Sequence, residues 1–132
     1  MNRKICFRGR RLDNGEWVYG DLEYNRAKNK ARIHTYNDEG EYKCQYVVDQ
    51  DSIGQFTGLT DKSGKEIYEG DIVEAYDLDG DFAFMGAVRY VLPDVGFGID
   101  KGTGGTLESF EGRMTYTIVG NFHDNLSLLN EK

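Results

Sequence analysis

Residues Gln55–Tyr76, QFTGLTDKSGKEIYEGDIVEAY, hold the densest run of turn residues and strand signal in this chain, and their reading decides the fold. Asp61, Ser63 and Gly64 are the residue types of a tight turn. Gly64 can take a positive φ that would strain a side chain with a Cβ. Glu69-Gly70-Asp71 punctuates the chain again, and Ile72, Val73, Ala75 and Tyr76 then read as a strand.

The composition agrees with that reading. In 132 residues there are 17 glycines against the single proline Pro93, with nine Tyr, seven Phe and one Trp. Many tight turns between short aromatic-rich strands are implied, which makes the chain mainly β. Its length suits one domain, or two small ones sharing a core.

Upstream, Lys4–Arg8 alternates, and Asn14-Gly15 is a strong hairpin signal ahead of Trp17-Val18-Tyr19, so strands are expected near 4–8 and 16–24. Residues 25–32, NRAKNKAR, carry four positive charges and no large apolar side chain, which predicts a solvated turn or mobile loop. A second hairpin is expected over Ile33–Val48, turning at Asn37, Asp38 and Gly40. The period of two places Tyr42, Cys44, Tyr46 and Val48 on one buried face. Asp49–Gly54 breaks the pattern and marks a soft boundary between an N-terminal hairpin region, residues 1–54, and a C-terminal barrel, residues 55–132.

Downstream, Asp77–Asp81 turns into a long strand over Phe82–Leu92, which Pro93 ends by withdrawing a backbone donor. Short strands are expected at Gly96–Ile99, Leu107–Phe110 and Thr115–Val119, with a flexible loop at Gly102, Gly104 and Gly105. Counted from Gly70, about five short strands have the spacing of a small barrel. Asn125–Leu129 is expected to form one helical turn capping an open end with Leu126, Leu128 and Leu129.

The motifs that could carry chemistry each fall short. Gly58–Lys65 resembles a phosphate-binding loop but has five residues between the glycines and Glu66 after the lysine. Asp77, Asp79 and Asp81 alternate as in a calcium loop, yet the glycine falls at the fourth position and Val88 at the twelfth, so a strand-connecting turn is favoured. Gly102, Gly104 and Gly105 precede a strand-like segment, which disfavours a dinucleotide fingerprint. His34 and His123 have no ligand or nucleophile near them in sequence. Cys6 and Cys44 are too few and too far apart for a disulfide framework or a zinc site, and read as reduced, partly buried thiols. No catalytic residue, cofactor or metal site is assigned.

Charge is unevenly spread. Up to residue 36 there are nine Lys and Arg against four Asp and Glu, a balance of +5; from residue 37 onward there are seven against nineteen, a balance of −12. A basic arm on an acidic body suits two surfaces that attract each other within or between subunits. Arg8, Arg10, Arg11, Lys28, Lys30 and Arg32, with Phe7, Trp17, Tyr19 and Tyr24 interleaved, could instead contact nucleic acid, although the acidity of the whole chain opposes this. With no apolar run of spanning length and no N-terminal signal pattern, no membrane partner is expected and a cytoplasmic location is.

Three segments together resemble the YopX-like proteins of bacterial phages and prophages: Phe7-Arg8 near the start, TGLTDKSGKEIYEGDIV over Thr57–Val73, and Ile118–Asn121 with Leu128-Leu129 near the end. Leu126 departs from the proline that the family often carries. The resemblance implies an SH3-like barrel in the C-terminal part and a mobile-element origin, with no established catalytic activity or cofactor. It makes Gly58, Gly64 and Gly70 backbone necessities and leaves Tyr68, Glu69 and Asp71 as positions whose polar atoms need a separate explanation. The expectation is a non-enzymatic phage accessory protein that binds a host or phage macromolecule, or itself as a homo-oligomer. The alternatives are a nucleic-acid-binding module on the basic N-terminal residues and, last, a metal-dependent hydrolase built on Asp77, Asp79 and Asp81.

Overall fold

In a computed structural model of the protein, residues 4–91, 96–102, 108–125 and 128 are described. The strands form two antiparallel sheets and the chain divides into two compact units, Met1–Phe56 and Thr57–Lys132.

The first unit is built from β1 (Phe7–Arg10), β2 (Trp17–Asn25), β3 (Lys30–Tyr36), β4 (Tyr42–Val48) and the start of β5 (Gly54–Thr60), in sheet order β4-β3-β2-β1-β5. A short 3-10 turn, Gln50–Ser52, precedes β5, and the Asp49 carboxylate accepts the Asp51 N–H at its start. Asn14-Gly15 closes the β1–β2 connection as its residue types predict: Gly15 has φ +75° and its N–H donates to the Arg11 carbonyl at 2.9 Å. Alternation along β2 and β3 sends Val18, Leu22, Ala31 and Ile33 to one face, where they pack with Phe7, Val48 and Ile53. Gly20 is required by proximity, since a Cβ there would lie 1.9 Å from the His34 carbonyl oxygen of the neighbouring strand.

Two expectations for this unit are corrected. In the basic stretch 25–32 the turn is confined to residues 26–29, while Asn25 ends β2 and Lys30, Ala31 and Arg32 begin β3. A left-handed Asn29 (φ +51°) and an Asn25 side chain accepting the Lys28 N–H make so short a turn feasible. Ala31 is a core residue whose small side chain gave no apolar signal. The face expected from Tyr42, Cys44, Tyr46 and Val48 is buried only at Val48. Tyr42 and Cys44 are exposed and Tyr46 half-buried, because β4 is the outer strand and a bulge shifts its register between the Thr35–Cys44 and Tyr36–Tyr42 pairs. Of the two thiols, Cys6 is buried and Cys44 exposed, and neither is in a disulfide.

The second unit takes up the end of β5 and adds β6 (Glu66–Tyr68), β7 (Asp71–Tyr76), β8 (Phe82–Val91), β9 (Gly96–Asp100), β10 (Glu108–Ser109) and β11 (Thr115–Asn121). Its sheet has the order β10-β9-β8-β7-β11, so the last strand returns to pair with the first. Ile67, Val73, Ala75, Val88, Ile99 and Tyr116 form the core, flanked by Phe84, Phe110, Met114 and Ile118. Each large aliphatic side chain buried here stabilises by roughly 1.5–3 kcal/mol. The five strands counted from Gly70 are present, but β10 and β11 each pair with one neighbour and no closed barrel forms among the described residues. Leu92, Pro93, Gly104, Gly105, Leu107, Leu126 and Leu129 lie outside the described residues, and with them most of the expected helical turn; the Leu128 N–H donates to the Asn125 carbonyl.

Among the described residues one hairpin connection occurs three times, at Asn37–Glu41, Asp61–Lys65 and Asp77–Asp81. In each, the first side chain accepts two backbone N–H groups at 2.9–3.0 Å, from the residues two and four positions on. The fourth residue is a glycine with φ between +82° and +87°, and its N–H returns to the first carbonyl at 3.0 Å. At these three places an Asn or Asp and a glycine three residues later close the turn with groups inside it.

Candidate functional site

The structure divides the expected basic residues into two groups. Arg8, Arg10 and Arg11 are engaged beside β1. Arg8 is buried, with its guanidinium 4.7 Å from the centre of the Trp17 ring, and that of Arg10 lies 6.0 Å from the same ring. Such stacking stabilises by ~0.5–2 kcal/mol, the upper end requiring desolvation. Arg10 Nε also donates to the Gly15 carbonyl. Arg11 donates from Nε and Nη2 to the two Asp13 oxygens at 2.9 and 2.7 Å and lies 4.1 Å from the Tyr46 ring centre. That hydrogen-bonded pair raises the pKa of Arg11 and lowers that of Asp13. The second group, Lys28 and Lys30 with Arg26, is exposed at the β2–β3 tip, and Arg32 is half-buried opposite Glu23.

Beside the tip lies a groove of about 520 Å³, lined by Leu12, Lys28, Lys30, Ala31, Val47 and Val48, with Asn29 and Asp49–Asp51 completing its wall.

The polar residues around Gly70 hold backbone. The buried Asp71 carboxylate accepts the Tyr68 N–H at 2.7 Å, while Gly70 donates to the Val88 carbonyl and accepts from the Phe122 N–H. Tyr68 is buried and its hydroxyl donates to Glu66; Glu69 is half-buried. Asp61 goes further than its turn requires, since its second oxygen accepts the Ile118 N–H of β11 at 3.2 Å. Burial pushes this carboxyl upward, but the N–H groups of Ile118, Lys65 and Ser63, with the Lys65 charge, outweigh it and hold its pKa below the ordinary value.

Asp77, Asp79 and Asp81 do converge at the β7–β8 tip, with one oxygen of each within 4.8 Å of the others, and all three are exposed. They are the residues that could hold a hard cation, although Asp77 already caps its own turn. Leu78 between them is 77% exposed and Phe82 58%, with Tyr76 edge-on to the Phe82 ring at 6.0 Å.

One constellation is invisible in the linear sequence. On the outward face of β2, β3 and β4, His34 Nε2 lies 2.7 Å from Glu23 Oε1 and His34 Nδ1 lies 3.2 Å from the Tyr42 hydroxyl. The Tyr36 hydroxyl donates to Asp21 at 3.0 Å, and the Tyr36 and Tyr42 rings meet edge-on at 5.7 Å. The Asp21 hydrogen bond, followed by desolvation, raises the Tyr36 pKa. An imidazole between a carboxylate and a phenol can pass a proton along the row, but it stands on an open sheet face with Glu23 49% exposed. Only the cross-strand register brings together residues eight and eleven positions apart. His123 has its ring edge-on to Phe122.

Two small antiparallel sheets, closed by self-capped hairpin turns and presenting charged tips, define a mainly β protein organised around surfaces. Among the described residues no helix is long and apolar enough to cross a membrane. The profile of the family described as YopX protein matches residues 6–130, and the chain belongs to the YopX family. No curated protein matches it.

Proposed function

We propose that this YopX-family chain is a non-enzymatic accessory protein of phage or prophage origin that acts in the host cytoplasm by binding other macromolecules, foremost further copies of itself. The observation that carries this reading is that one hairpin tip in each unit carries charge of a different sign: Arg26, Lys28 and Lys30 are exposed on the first unit, and Asp77, Asp79 and Asp81 on the second. Opposed charges on separate surfaces of one chain favour head-to-tail assembly and steer the encounter. An open SH3-like barrel in the second unit fits this role, and the return of β11 to β7 supports that architecture. Light scattering in low and high salt tests the proposal. Assembly that weakens with salt is expected, and a monomer under both conditions refutes it.

The second reading, nucleic-acid binding, is favoured by the exposed Lys28 and Lys30 with Arg32 behind them. It draws less from Arg8, Arg10 and Arg11 than the sequence suggests, because Arg8 is buried and Arg11 already holds Asp13. It requires a mobility shift of DNA or RNA at low salt that falls steeply as salt rises. No shift at low salt removes it.

A further inference from the structure

Resting on the assembly reading above, we propose that the β7–β8 tip of one copy docks into the groove beside the β2–β3 tip of a second copy, with Leu78 as the apolar anchor.

Leu78 is the most exposed large apolar side chain among the described residues. Nothing in its turn requires it there, because the turn is closed by the Asp77 carboxylate and by Gly80 at φ +84°. The groove supplies the matching surface. Its accessible apolar lining comes from Leu12 and the half-buried Val47, above Ala31 and Val48, which are already packed in the core at no more than 2% exposed. Leu12 is itself 65% exposed, so both partners bring an apolar side chain that association would cover.

Charge selects the part of the groove that the tip meets. Lys28 and Lys30 line it, with Arg26 on the same turn, and they attract a tip whose Asp79 and Asp81 carboxylates are exposed on either side of Gly80. Asp49 and Asp51 line the groove as well, and Asp49 accepts the Asp51 N–H at 3.1 Å; their charge keeps the acidic tip on the lysine side. Groove and tip are different surfaces, so each copy donates a tip and accepts another. The contact is therefore head-to-tail and generates a ring where the rotation closes, or an open filament where it does not.

The test uses the full chain in light scattering at low salt, with far-UV circular dichroism confirming that each variant is folded. Wild type is expected to assemble. Leu78→Ser, at a solvent-exposed position, is expected to weaken association by about tenfold or more, as loss of a buried leucine contact requires. Lys28→Glu with Lys30→Glu, and separately Asp79→Lys with Asp81→Lys, should each give monomer. An equal mixture of these two charge-reversed proteins should assemble again, because every acidic groove then meets a basic tip and the reverse. Assembly of wild type that survives all these substitutions, or charge-reversed variants that stay monomeric when mixed, overturns the docking and leaves the assembly reading in place. Wild type that is monomeric throughout overturns both.

Discussion

Asp61 offers the sharpest test of how the second unit is held together. Its carboxylate accepts the Ser63 and Lys65 N–H groups at 2.9 Å within its turn and the Ile118 N–H of β11 at 3.2 Å, so one side chain ties a hairpin to the far end of the chain. A hydrogen bond to a charged group contributes ~1.5–3 kcal/mol net. In Asp61→Ala the Ser63 and Lys65 donors sit at an exposed turn where water can replace the lost acceptor, whereas the partly buried Ile118 donor recovers less. We expect a loss of about 2–3 kcal/mol, most of it from the β11 link. Asp61→Asn keeps the acceptor that serves the turn and turns its amide toward Ile118, so about 1–2 kcal/mol is expected. Urea unfolding followed by circular dichroism reads both as shifts of midpoint at constant slope.

The pH dependence is a second arm of the same test. The Asp61 pKa is lower in the folded chain than in the unfolded one, so the unfolded state binds the proton more tightly. Its contribution to stability is fully present above the ordinary aspartate value of about 3.9 and is lost as pH falls through the folded value. The gap between wild type and Asp61→Asn should therefore narrow on acidification. Equal stability of the two proteins at neutral pH, or a gap that stays constant through the acid range, would refute the account given for this carboxylate.

Three further outcomes follow from the geometry. Gly20→Ala places a Cβ 1.9 Å from a backbone oxygen of β3, and prising β2 from β3 should lower the unfolding midpoint by the equivalent of ~3 kcal/mol or prevent folding of the first unit. Ile67→Ala empties a fully buried position in the second core and should remove ~2–5 kcal/mol in the same assay, against ~0.5–1.5 kcal/mol for Ile67→Val; equal losses would contradict the packing. Asp21→Asn should move the Tyr36 phenol down toward its ordinary value in an ultraviolet titration, since the hydrogen bond to Asp21 is the largest cause of its upward shift; an unchanged titration would break that assignment.

Much of the local structure could be read from residue types because it is locally encoded. Asn14-Gly15, Gly40, Gly64 and Gly80 mark turns through a backbone requirement that no neighbour alters, and the apolar Ile72, Val73 and Ala75 report the buried strand β7 directly. The readings that failed depended on partners distant in sequence. Whether Tyr42 and Cys44 are buried depends on β4 being an outer strand with a bulge opposite Thr35, and neither fact is written in residues 42–48. Ala31 was hidden by its size, because a small side chain on a basic stretch looks like loop until its neighbours close over it. Barrel closure was inferred from a strand count, which fixes how many strands pair but not whether the outermost two meet. For the candidate sites, the three acids of the β7–β8 tip were legible as a group. The Glu23–His34–Tyr42 row was not, since its members converge only through the register of two hairpins.

The thrice-used turn also bears on how the chain reaches this structure. Each copy closes a loop of five residues using only groups inside it, so nothing distant has to arrive first. Short loops close in ~10–100 ns, whereas the pairing of Phe7 with Gln55 must wait for a search over much of the first unit. The turns at Asn37, Asp61 and Asp77 are therefore expected to close early in folding. Their hairpins supply preformed pieces, and the slow step is left to the few long-range pairings that bring β1 beside β5 and β11 beside β7.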